Sequence, residues 1–170
     1  MRVWKRRGLT LAISVNISAR QLQQKYFARN LSALLDKYPD IDAHLLELEI
    51  LESINSAAPI MQNYWKLGVC FALNNFGTGY SSLTYLRRLP VCTLKIDESF
   101  IRDMLEDEDA LGIVKGVIGL AVAFQKQVIT EGVETIAHGV KLIELDCKLA
   151  QNYGIARPMP AYEVPNWLAT

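Results

Sequence analysis

The sequence predicts an α/β protein with parallel strands, and three observations carry that reading. Apolar residues at period two alternate with apolar residues at period 3.6 along the whole chain, the connections are short, and nearly every strand-like run ends in polar side chains. Six strand–helix units this regular favour a barrel-type arrangement over a doubly wound sheet. A closed (β/α)8 barrel needs eight strands and about 250 residues. The 170 residues here therefore predict one domain, a barrel about two units short.

The first unit begins at LAISVNIS (11–18), where Ile13, Val15 and Ile17 alternate with Ser14, Asn16 and Ser18. Ser18 and Gln21 then form an S-x-x-Q capping box that opens a helix through about Lys37. LLELEILE (45–52) is the second strand, and 57–67, with Pro59 in the tolerated first turn, is the helix that Gly68 ends. VCFALNN (69–75) is the third strand. Gly77 and Gly79 lead from it to a short helix, YSSLTYLRRL, whose Tyr80, Leu83, Leu86 and Leu89 read as core. VCTLKID (91–97) is the fourth strand, and Asp107–Asp109 supply the acidic first turn of a helix to about Phe124. QVITE (127–131) is the fifth, followed by a helix around 135–146; LAQNYGI (149–155) is a candidate sixth, before a proline-punctuated tail.

Half of the residues are apolar, 51%, enough for a substantial core. Eighteen basic residues balance eighteen acidic ones, so no global field recruits a nucleic-acid polymer or an anionic membrane, and any anionic ligand must be held locally. The three cysteines, Cys70, Cys92 and Cys147, are odd in number and widely spaced. That pattern argues against a disulfide framework or a CxxC zinc site and fits a reducing cytoplasm. No apolar run approaches the roughly 20 residues of a membrane span, and the basic N-terminus is not followed by a signal-peptide core.

In parallel α/β folds, chemistry collects where strands end. Those ends carry Asn16, Glu49 and Glu52, Asn74 and Asn75, Lys95 and Asp97, Glu131 and Glu134, and Gln151 and Asn152. Any one of these is more simply a solvated strand end. Six such ends in succession, rich in oxygen donors and holding one lysine, point to a site. Amide and carboxylate oxygens suit hard cations such as Mg²⁺, Mn²⁺ or Ca²⁺, and neither His44 nor His138 sits at a strand end to suggest zinc. A lysine beside such ions can stabilise charge developing in phosphoryl transfer. The set suggests a metal-assisted phosphodiester site.

SVNISARQL (14–22), LELEILES (46–53), ALNNFGTGYSSLTYLRRLPVCTLKIDESFI (72–101), VITEGVET (128–135) and QNYGIARPMP (151–160) together resemble the EAL family of cyclic-di-GMP phosphodiesterases. The motifs run in order through nearly the whole chain. The resemblance implies a TIM-type barrel, Mg²⁺ or Mn²⁺ in active members, and hydrolysis of cyclic di-GMP to the linear dinucleotide. It implies metal-ligating roles for Asn16 and Glu49, a loop-supporting role for Glu52, catalytic roles for Lys95 and Glu131, and a substrate-side role for Gln151. The family's aspartate pair falls on Asn74 and Asn75, which would be degenerate metal ligands.

The Glu-Ala-Leu tripeptide that names the family does not occur, and the matched motifs begin just before the family's third strand. The sequence thus predicts one partial EAL-like domain over 1–170. Two Asp-to-Asn changes remove two anions from a site that must hold cations, and at an effective dielectric near 20 each unit charge at about 4 Å is worth about 4 kcal/mol before desolvation. The expectation is a degenerate domain without hydrolytic activity, with metal weakly held or absent, acting as a regulatory or protein-binding module. Two alternatives stand beside it: a cyclic-di-GMP receptor that does not hydrolyse, and a weak metal-dependent phosphodiesterase. A barrel lacking two strands would expose two sheet edges and part of an apolar interior, predicting a protein partner or self-association.

Overall fold

The computed structural model describes residues 1–51, 58–78 and 83–169. Six strands form one sheet in the order in which they occur in the chain, β1-β2-β3-β4-β5-β6, each parallel to its neighbours. The sheet curls as half of a barrel with helices over its outer side, the parallel β/α architecture that the strand–helix rhythm predicts.

A short helix α1 (Arg2–Lys5) precedes β1 (Ile13–Asn16). Ser18 caps α2 (Ala19–Leu22) through the predicted box: its hydroxyl accepts from the Gln21 amide while the Gln21 side chain accepts from the Ser18 amide. The single helix expected through Lys37 is two, because the chain leaves helical geometry at Gln24 before α3 (Lys25–Lys37). β2 (Leu46–Leu51), α4 (Ala58–Trp65) and β3 (Cys70–Phe76) follow, with Gly68 at φ +85° closing α4.

α5 (Leu83–Arg88) leads into β4 (Thr93–Ile96). α6 (Glu98–Asp103) is a helix that sequence periodicity missed; six residues are too few to display a period, and its signal is the Asp97 side chain, which caps the Ser99 amide at 2.9 Å. Asp107 caps α7 (Glu108–Ala123), whose first turn carries Glu108 and Asp109 as predicted. β5 (Gln127–Glu131), α8 (Ile136–Glu144), a two-residue β6 (Ala150–Gln151) and α9 (Val164–Trp167) complete the chain. No described helix is long and apolar enough to cross a membrane.

The core lies between the outer face of the sheet and the helices. Leu48, Ile50, Phe71, Leu73, Leu94 and Ile96 are buried there with Met61, Tyr64, Ile101, Val114 and Val117. The alternate residues of the same strands face inward, and they are not the apolar layer expected of a barrel interior. Ser14, Glu47, Glu49, Thr93 and Lys95 are joined there by hydrogen bonds and an ion pair. A second expectation is overturned by the cysteines: Cys70 and Cys92 form a disulfide. Their wide sequence spacing hid that β3 and β4 are neighbours, which brings the two Cα atoms to 5.8 Å, within disulfide range.

Candidate functional site

Lys95 is the hub. Its side chain is 2% exposed, and its ammonium lies 2.9 Å from Glu49 Oε2 on β2 and 2.6 Å from Glu131 Oε1 on β5. Burial pushes the Lys95 pKa down, but the bonds and charges of Glu131 and then Glu49 outweigh it and hold the pKa above its ordinary value. The lysine is therefore charged and doubly paired, as a buried cation must be. Ser14 on β1 also donates to Glu49 Oε2, at 3.1 Å. One carboxylate oxygen thus serves two donors from two strands.

The Glu49–Lys95 contact passes over β3, the strand between its partners. It can do so because Ala72, in register with Glu49 on one side and Thr93 on the other, is fully buried and carries only a methyl group. One layer below, Thr93 donates to Glu47 Oε2 across the same strand. Two polar rungs therefore straddle a single small residue.

At the C-terminal end of β3 the register with β4 shifts between Leu73 and Phe76, so Asn74 and Asn75 together oppose Lys95. This is a β-bulge. Asn75 has φ +54°, a left-handed conformation in which asparagine is several-fold enriched, and the Asn74 side-chain oxygen accepts its amide at 2.9 Å. Thr78 donates its hydroxyl to the Asn75 carbonyl at 2.9 Å. Gly77 follows at φ +102°, where an added Cβ would lie 3.1 Å from the Phe100 ring.

An open cavity of about 390 Å³ lies at the C-terminal ends of β1–β3, lined by residues including Asn16, Ser18, Gln21, Glu49 and Asn74. The structure thus brings Asn16, Glu49 and Asn74 to one cavity and gathers Lys95 and Glu131 with Glu49. Asn75 is on the bulge but does not line that cavity. Gln151 is exposed on β6, in register with Glu131, and its carbonyl accepts from the Gly132 amide at 3.3 Å. Glu52 lies outside the described residues. Sequence reasoning missed Ser14, Glu47, Thr93 and Ala72; the S-x-N and E-x-E alternation places Ser14 on the face of Asn16 in β1 and Glu47 on the face of Glu49 in β2, but nothing local points across to Thr93.

These features define a parallel β/α barrel-type fold with a polar cluster at its strand ends, centred on a buried lysine. The chain belongs to the EAL domain family, whose model matches residues 1–158. It is 35% identical over 170 residues to the cyclic di-GMP phosphodiesterase PA2567 of Pseudomonas aeruginosa, covering 97% of this chain and 29% of that protein. It is 34% identical over 168 residues to the cyclic di-GMP phosphodiesterase PdeR of Escherichia coli, covering 96% of this chain and 25% of that protein. The chain thus spans between a quarter and a third of the length of these curated relatives. Among solved structures it is similar to the MucR phosphodiesterase in complex with c-di-GMP, with a TM-score of 0.88 at 33% identity over 96% of this chain and 68% of that one. The EAL domain of Mycobacterium smegmatis DcpA gives a TM-score of 0.87 at 32% identity over 98% and 78%.

Phosphodiesterases of this family are metal-dependent, so the donor set can be tested against Mg²⁺ or Mn²⁺. Among the described residues no group of three or more His, Cys, Asp or Glu side chains is placed to hold a metal ion. Both Glu49 and Glu131 are committed to Lys95, leaving one net negative charge on the three groups. Asn16 and Asn74 add oxygens without charge. The set does not fit a pair of divalent ions, whose mutual repulsion requires anionic ligands.

Proposed function

We propose that this domain works in cyclic-di-GMP signalling as a regulatory, protein-binding module that does not hydrolyse the dinucleotide. The observation that carries the reading is the end of β3, which presents Asn74 and Asn75 opposite a lysine already neutralised by both neighbouring carboxylates. An asparagine oxygen can ligate one ion but cannot bridge two as a carboxylate does, nor help deprotonate water. Mg²⁺ or Mn²⁺ is on this reading weakly bound or not bound, and the domain acts in the cytoplasm.

Incubation with cyclic di-GMP and Mg²⁺ or Mn²⁺, followed by chromatography, tests the reading. The expected result is no linear dinucleotide above a Lys95→Ala control; product above that control overturns it and favours the weak phosphodiesterase. The partner on this reading is another protein or a second copy of the chain. Light scattering is expected to show self-association or to require a partner protein for a monodisperse sample.

A second reading, a receptor that binds cyclic di-GMP without cleaving it, is favoured by the open cavity lined by Asn16, Glu49 and Asn74. The solved MucR and FimX EAL domains, described in complex with c-di-GMP, are similar in fold. Calorimetric titration with and without Mg²⁺ separates the two readings: micromolar binding selects the receptor and excludes a pure scaffold.

A further inference from the structure

We propose that Cys70 and Cys92 form a reversible redox staple that sets how firmly β4, and with it Lys95, is held against β3. The inference is independent of whether the domain binds or cleaves a nucleotide. Cys70 opens β3, and Cys92 stands immediately before β4. Beside the disulfide, the Cys92 amide donates to the Phe71 carbonyl at 2.9 Å and the Cys92 carbonyl accepts from the Gln127 amide at 2.8 Å. The covalent link therefore sits at the entry of the strand that carries Thr93 and Lys95.

The β3–β4 pairing above it is short. Ala72 pairs with Thr93 and Leu73 with Leu94, the Asn74–Asn75 bulge shifts the register, and one further pair, Phe76 with Ile96, follows it. Few ladder bonds fix this register, so a covalent tie at one end of so short a ladder restricts the motion of the bulge at the other. The disulfide closes a chain loop with a sequence separation of 22 that contains that bulge. The contacts that reach across β3, Thr93 to Glu47 and Lys95 to Glu49, depend on the register that the disulfide holds, whereas the Lys95–Glu131 pair and the ladder to β5 hold β4 from its other side.

Both linked cysteines are partly exposed, whereas the third, Cys147, is a buried free thiol. A small dithiol can therefore reach the link. Its thiolate attacks one sulfur to give a mixed disulfide, and its second thiol displaces the protein sulfur. The products are two cysteine thiols on the protein and a cyclic disulfide of the reagent, with two electrons and two protons transferred. Cys147 does not take part and serves as an internal count.

The whole chain, prepared once with oxidised glutathione and once with dithiothreitol, is denatured and alkylated for mass spectrometry. One label is expected on the oxidised protein and three on the reduced. Native hydrogen exchange is then read at the amides of Thr93–Lys95. Exchange is expected to be about tenfold faster or more in the reduced form, and Cys70→Ser and Cys92→Ser variants are expected to match the reduced form in both buffers. Three labels under oxidising conditions would show that the link does not persist. Equal exchange in the two forms would show that it does not govern β4. Either result overturns the proposal.

Discussion

The two faces of the same six strands are built by different chemistry. On the outer face, Phe71 and Leu94 are fully buried and Leu48, Ile50 and Leu73 nearly so, all packed on helices. On the inner face, Glu49 is 6% exposed and Lys95 2%, and what holds them is their ion pair across β3, a second pair from Lys95 to Glu131 and the Ser14 hydrogen bond to Glu49. Apolar contact is non-directional and adds with area. A buried ion pair is conditional on its geometry, because desolvation of both charges offsets most of its Coulombic gain. The outer face supplies stability; the inner face holds charge in place at a cost.

That contrast predicts opposite responses to compensation. Phe71→Ala removes a fully buried aromatic ring and should destabilise the domain by about 3–5 kcal/mol, with no second substitution nearby expected to restore it. Lys95→Met should cost about as much, 3–5 kcal/mol, because it leaves Glu49 buried without a cation. Here a second change should help: Lys95→Met with Glu49→Leu should recover much of the loss, since a buried pair replaced by apolar residues of similar size is often neutral or better. Urea denaturation of the four proteins checks this. Failure of the double variant to recover would show that the inner face is also held by packing.

Ala72 is the small residue beneath the inner-face contacts, and it gives an intermediate test. Ala72→Leu should cost about 1–3 kcal/mol by overpacking. It should do so chiefly by separating Glu49 from Lys95 and Glu47 from Thr93, because both rungs pass over that methyl group. In a double-mutant cycle, Ala72→Leu and Lys95→Met should therefore couple strongly. Additive costs would show that the rungs do not depend on the small residue.

The outer face was legible from sequence because its rule is local. LLELEILE displays period two within a few residues, and Leu48 and Ile50 fall where alternation puts them. The inner face was legible as a list of strand-end polar residues but not as a set of bonds. Which side chain meets Lys95 depends on register between strands 46 residues apart in the chain at Glu49 and 36 at Glu131, counted from their positions. The same limit hid the Cys70–Cys92 link, since its residues meet through strand order rather than spacing. Two adjacent amides at 74 and 75 looked like lost charge. The backbone accounts for the residue class at Asn75, whose left-handed φ of +54° favours asparagine or aspartate over other side chains, and leaves the choice of amide over carboxylate to the charge of the site.

The smallest expected effect separates the faces by pH. The Lys95 pKa is raised in the folded state above its ordinary 10.5, so its pairing contributes fully below that value. The contribution declines as pH rises from 10.5 and is lost once pH passes the folded value. Tyr64, buried on the outer side with its hydroxyl donating to the Leu22 carbonyl at 3.0 Å, has a pKa raised above 10.0 by burial and loses stability in the same direction. Wild-type stability should thus fall above about pH 10, and Tyr64 alone cannot identify the inner face. Subtraction can: the stability difference between wild type and Lys95→Met should stay flat from pH 7 to 10 and shrink above 10.5, whereas that between wild type and Val114→Ala, which removes apolar contact from the fully buried Val114 of α7, should not change with pH. A Val114→Ala difference that shrank in parallel would mean that the two faces unfold as one electrostatic unit, and the division drawn between them would fail.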